Sequence, residues 1–105
     1  MAYYYLIAAI VFEVIGTLLL PITKNFTKPL ATMIVTLSYL ASFYMLTHAI
    51  KDIPLAIAYS TWSGLGIFLI AVLAYVIYNQ HIQWQTQVGL IMIVFGVSIV
   101  NFYKG

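Results

Sequence analysis

Four apolar runs, at residues 3–20, 30–49, 53–78 and 84–103, occupy most of this 105-residue chain and leave only short polar connections between them. A hydrocarbon core about 30 Å thick takes roughly 20 helical residues to cross, and each run is of that order. The runs are continuous rather than alternating, which argues against membrane strands. Composition separates a membrane bundle from a large soluble core. Only 6% of the residues are charged and 65% are hydrophobic, whereas a soluble domain carries about 25% charged residues. Such a chain cannot coat a water-facing surface. The sequence therefore predicts an all-α membrane protein, with residues 1–105 forming a single transmembrane domain of four helices at about those bounds. One copy is too small to enclose a pathway by itself. The net charge of +2 is too small and too scattered for a nucleic-acid partner. With no Cys, disulfides, thiol nucleophiles and zinc thiolates are excluded. The first run lacks a basic start and an A-x-A-like cleavage site, so it reads as a spanning helix rather than a cleaved signal.

The connections have local causes. Pro21 is expected to stop the first helix, and "ITKNFTKP" turns the chain, with Asn25 suited to a left-handed conformation. In "IKDIP", Asp52 is a candidate N-cap and Pro54 suits a first helical turn. "NQHIQ" makes the third loop. Tyr3, Tyr4, Tyr5, Tyr78, Trp84, Phe102 and Tyr103 cluster near the ends of the runs, as an interfacial aromatic belt does. With four spans, the termini and the second connection share one side, carrying Lys51 and Lys104. The first and third connections share the other, with Lys24 and Lys28. This even split gives the positive-inside rule nothing to choose by. One fixed orientation and dual insertion as an antiparallel pair both stay open.

Within the first run stands Glu13, one of only two acidic residues in the chain. At about 1.5 Å per residue it lies roughly 15 Å in from Tyr3, near the bilayer midplane. An isolated carboxylate there is costly, so intramembrane acids face a protein interior or an aqueous cavity and mark a pathway. Its helical neighbours are Ala9, Ile10, Gly16 and Thr17. Three of these are small, which permits close helix approach or leaves room for a ligand. A carboxylate that holds either a proton or a cation can couple their movements.

Aromatic partners for a cation follow. Tyr39 and Phe43 stand four apart on one face of the second helix, and Tyr59 and Trp62 three apart on one face of the third. Aromatic faces attract organic cations, with up to about 2 kcal/mol per contact when desolvated. Gly64 and Gly66 make a plausible bending point, since Gly within a helix costs about 1 kcal/mol relative to Ala. Gly89 and Gly96, two turns apart on one face, let another helix approach closely. Each of these features also has a plain packing reading. His48 and His81, the only histidines, have no Cys or neighbouring acid with which to hold a metal. No Ser/His/acid motif is readable, so hydrolysis has no support and no cofactor is called for.

"FEVIGT", "YLASF", "IPLAIAYSTWSGLGI" and "GLIMIVFGV", taken together, resemble the small multidrug resistance family of proton-coupled exporters over essentially the whole chain. The resemblance implies an antiparallel homodimer in the bacterial inner membrane, exchanging protons for cationic, often aromatic, compounds by alternating access. It assigns Glu13 as the shared proton and substrate carboxylate. Tyr39, Phe43, Tyr59 and Trp62 become the aromatic lining, with Ser42, Ser63, Gly16 and Thr17 beside them. Gly64 and Gly66 match the kink glycines of the third helix, and Gly89 and Gly96 the dimer contact of the fourth.

The sequence departs from the family pattern at four positions. Pro21 stands where drug-exporting relatives usually have lysine, and Ala56 replaces a usual glycine. Ser60 and Thr61 replace more apolar residues and add hydroxyls near the expected site. Gly16 stands where the family's guanidinium exporters typically have tryptophan, which favours bulky aromatic cations. Transport of guanidinium, choline or betaine, polyamine transport as half of a heterodimer, and a non-transporting membrane subunit remain alternatives.

Overall fold

A computed structural model describes residues 2–103. It contains α1 (Ala2–Leu19), α2 (Pro29–Ala49), α3 (Leu55–Tyr78) and α4 (Trp84–Phe102), with a short 3-10 turn at Leu20–Thr23. All four helices are long and apolar enough to cross a membrane, and no strand occurs among the described residues. The expected all-α, four-span architecture is the architecture found. Lys104, one half of the lysine count on its side, lies outside the described residues.

The connections follow the backbone rules closely, with three differences. Pro21 does not end the helical path but tightens it into the 3-10 turn, because its ring supplies no N–H to the α-helical ladder. Asn25 is left-handed as expected, at φ 61°, and so are its neighbours Lys24 at 48° and Phe26 at 66°. Asp52 is not the N-cap of α3: Pro54 occupies that position, and no side chain caps it. The backbone N–H groups of Asp52 and Ile53 instead donate to the carbonyl of Ala49, extending the end of α2 by one turn. Pro54 then presents its carbonyl to Ile57 and Ala58, starting the next helix. Asn79, left-handed at φ 54°, closes α3.

α1 is the central helix. Its Leu6, Ala9, Ile10 and Val14 bury against Leu46 and Ala49 of α2, Ile53 of the following connection and Ala58 in the first turn of α3. α4 packs chiefly on α3, and only Val97 along its length is fully buried. The molecule is a slab, 44 × 35 × 17 Å across its Cα atoms, less than two full helix diameters thick at about 10–12 Å each.

Two of the expected belt aromatics also tie helices together. At the Pro21 end, the Tyr78 hydroxyl donates to the Leu18 carbonyl at 2.6 Å. That carbonyl lies where the change to 3-10 winding disturbs the α-helical ladder. At the opposite end, the Tyr3 hydroxyl donates to Asn101 Oδ1 at 2.8 Å, while Asn101 Nδ2 donates to Thr61 Oγ1 at 2.7 Å. α1, α3 and α4 are thereby joined by one polar cluster. Tyr5 also turns aside, stacking on His48 with ring centroids 4.9 Å apart. Tyr4, Trp84, Phe102 and Tyr103 remain exposed, as belt residues are.

Candidate functional site

Glu13 projects from α1 between α2 and α3. Its Oε1 accepts a hydrogen bond from Thr17, one turn along the same helix, at 3.3 Å. The Thr17 hydroxyl is in turn 2.7 Å from the Tyr39 hydroxyl on α2. Oε2 is buried and, among the described residues, has no hydrogen-bond partner. A buried polar atom of this kind calls for an explanation. Here the surroundings supply one: Glu13 forms the wall of a cavity of about 210 Å³ with Trp62, Ser63 and Ile67.

The cavity has an aromatic side built on Trp62. Its indole N–H donates to Ser42 Oγ at 3.2 Å, and Ser42 donates to the Ala9 carbonyl at 2.6 Å, so α3, α2 and α1 are pinned in one chain of bonds. Ala9 is fully buried, and its small side chain permits that approach. Phe43 and Tyr59 flank Trp62 with centroids at 5.6 and 5.5 Å and rings tilted by 55° and 49°, spacings typical of favourable aromatic pairs. Phe43 is 52% and Tyr59 55% exposed. Within one chain this aromatic row is open on its outer side.

The structure therefore brings Glu13, Thr17, Tyr39, Ser42, Phe43, Tyr59, Trp62 and Ser63 into one neighbourhood. Gly16 contributes differently from an open space. A Cβ built there would lie 3.2 Å from Tyr39 Cε1, so the missing side chain seats the Tyr39 ring against α1. Gly64 and Gly66 fall within an unbroken α3 and meet different neighbours. A Cβ on Gly66 would stand 2.7 Å from Glu13 Oε2, and one on Gly64 would collide with Val97 Cγ2 of α4. Gly89 and Gly96 face open space on α4 and lie apart from the cavity.

The two added hydroxyls do not enter the site. Ser60 is exposed and donates to the Ala56 carbonyl at 2.6 Å. Thr61 is buried, donates to the Ile57 carbonyl at 2.7 Å and accepts from Asn101. Each is turned back onto its own helix or toward α4, because a mid-helix hydroxyl finds the carbonyl four residues earlier. Ile67 was not foreseen as part of the cavity wall, although its place four residues after Ser63 sets it on the same helix face.

A family model described as Small Multidrug Resistance protein matches residues 1–93. Similar proteins include the quaternary ammonium compound-resistance protein QacH of Staphylococcus saprophyticus, 35% identical over 98% of this chain and 96% of its own. The multidrug transporter EmrE of Escherichia coli (strain K12) is 38% identical over 94% of this chain and 90% of its own. The quaternary ammonium compound-resistance protein QacE of Escherichia coli is 38% identical over 92% and 88%.

Proposed function

The chain belongs to the small multidrug resistance family, a family of multi-pass bacterial membrane transporters rather than enzymes, and we propose that it is a proton-coupled antiporter for hydrophobic organic cations of the quaternary ammonium type. The observation that carries this reading is Glu13 inside a membrane span, lining a cavity with Trp62 and keeping one carboxylate oxygen without a hydrogen-bond partner among the described residues. A quaternary cation donates no hydrogen bond and is held by charge and by aromatic faces. A half-buried carboxylate beside Trp62, Phe43 and Tyr59 offers both. Metal hydration or hydrogen-bonded headgroup recognition would ask for several polar ligands, and the cavity wall supplies only Ser63 besides Glu13.

The working unit in this proposal is an antiparallel homodimer. Three observations support it: the aromatic row is open on one side, α4 is almost wholly unburied, and Gly89 and Gly96 lie bare on it. A second copy packed along α4 would cover that helix and give the cavity its missing wall. Such a dimer requires both insertion senses, which the even lysine split leaves open. A single cysteine placed after Gly105 should be labelled from both faces of the membrane, and labelling confined to one face would contradict it.

Exchange has a direct test. Purified protein in liposomes with an acidic lumen should accumulate tetraphenylphosphonium, protons leaving as the cation enters, and a protonophore should abolish the uptake. Accumulation indifferent to the pH gradient would contradict antiport. Failure of the purified protein to bind the cation at all would favour the subunit reading.

A further inference from the structure

The two oxygens of Glu13 have different surroundings, and the difference extends the exchange reading on which this inference rests. Oε1 faces Thr17, and Thr17 faces Tyr39, through oxygen–oxygen distances of 3.3 and 2.7 Å. Oε2 makes no hydrogen bond among the described residues and lies against the bare backbone of Gly66, while Glu13 as a whole lines the cavity. A threonine hydroxyl has one proton to donate and lone pairs to accept with. If Thr17 gives that proton to Oε1, the short contact to Tyr39 is satisfied only by the tyrosine donating. The three oxygens then form a directed chain, from Tyr39 to Thr17 to Glu13. With a proton on Oε1, the same three oxygens serve with every donor and acceptor reversed, and no heavy atom has to move.

We propose that Thr17 and Tyr39 are a proton relay to Glu13 Oε1, which leaves Oε2 free to face the cation. For release, the proton on Oε1 passes to Thr17 Oγ1, the former Thr17 proton passes to the Tyr39 oxygen, and Tyr39 gives its own proton to water. Both hydroxyls end neutral and Glu13 ends as the carboxylate. Loading runs the same steps backwards once the hydroxyls have turned. The residues that α3 presents to Glu13 (Trp62, Ser63, Gly66 and Ile67) carry no titratable side chain, and Tyr59 stands beyond Trp62. Among the described residues, Tyr39 is the one titratable group that the hydrogen bonds connect to Glu13. Its ring is held in place by Gly16, against which a Cβ would sit only 3.2 Å from Cε1. Proton and cation thus reach one carboxylate from two sides, so that a bound cation does not block the proton's exit.

The relay is tested by rate rather than by affinity. Full-length protein in detergent, loaded with protons at mildly acidic pH, is mixed rapidly with tetraphenylphosphonium while a pH dye records proton release. Thr17→Val keeps the side-chain shape and removes the hydroxyl. It should slow release by about a hundred-fold, the lower end of what a positioned proton-transfer group contributes, and far more than it weakens cation binding. Thr17→Ser should restore the rate. Tyr39→Phe keeps the ring against Gly16, removes only the outer hydroxyl, and should also slow release; it carries the test should Thr17→Val fail to fold. Release at the wild-type rate in either Thr17→Val or Tyr39→Phe would overturn the relay. So would a loss of affinity in Thr17→Val as large as the loss of rate, which would make Thr17 a cation contact. Wild-type protein that binds the cation without releasing protons would overturn the exchange reading itself, a result visible before any relay variant is made.

Discussion

Glu13→Gln is expected to yield a folded protein that no longer couples cations to protons. The amide matches the carboxyl in shape, and its oxygen still accepts from Thr17, as Oε1 does now at 3.3 Å. What disappears is the titrating charge. Removing one partner of a buried charge pair costs about 3–5 kcal/mol, so the affinity for tetraphenylphosphonium should fall by about a hundred-fold or more at neutral pH. The residual binding, held by Trp62, Phe43 and Tyr59, should be flat with pH, and transport driven by a pH gradient should vanish. Residual binding that still strengthens with rising pH would mean that another group carries the proton.

The second large effect sets two neighbouring glycines against each other. In Gly66→Ala the new Cβ would stand 2.7 Å from Glu13 Oε2, closer than real Cβ atoms come to oxygen. Glu13 ends in a flexible side chain, so the carboxyl shifts and the fold survives. Helix propensity even favours Ala by up to about 1 kcal/mol. The cost falls on binding, where we expect at least a ten-fold loss of cation affinity, or about 1.4 kcal/mol, at normal yield and thermal stability. In Gly64→Ala the obstacle is Val97 Cγ2 on α4, and a β-branched side chain in a helix has little rotamer freedom to give way. That variant should lose stability and yield instead, because α3 is the principal support of α4. Melting temperature and cation affinity, measured on both variants, separate the two cases. Equal loss of stability in both would mean that Gly66 serves only helix packing.

Much of this was legible in the chain because a bilayer leaves few choices. Four apolar runs with almost no charge admit only spanning helices, and the helix bounds found differ from the expected ones by no more than two residues. The largest of these differences, at the start of α3, and the change of winding after α1 lie where proline acts. Pro21 converts rather than ends a helix, and Pro54 stands just before α3 instead of within its first turn. The candidate site was legible as residue types at helical spacing, one carboxylate among apolar residues and two aromatic pairs, although Phe43 and Tyr59 stay half exposed in the single chain. Less could be read about what each hydroxyl would choose. Thr17 bridges Glu13 and Tyr39, whereas Thr61 turns to Asn101 forty residues away. That choice depends on which helices approach, a tertiary fact that i, i+4 spacing does not contain. Tyr3 and Tyr78 were expected at the membrane interface on the same grounds, and their hydrogen bonds across helices arise only from the packed fold.

The central claim is that protons and cation contest one carboxylate, and the affinity of the wild-type protein as a function of pH tests it most directly. In the proposed exchange the cation binds the ionised form of Glu13 and a proton on Glu13 opposes it, so that by reciprocity binding the cation must expel protons. Calorimetric titration with tetraphenylphosphonium across a pH series, repeated in buffers of different ionisation enthalpy, gives both quantities from one set of experiments. The account predicts affinity that strengthens as pH rises while Glu13 is protonated in the free protein, with a slope equal to the number of protons counted from the buffer heats. Affinity independent of pH throughout, with no protons released, would contradict it.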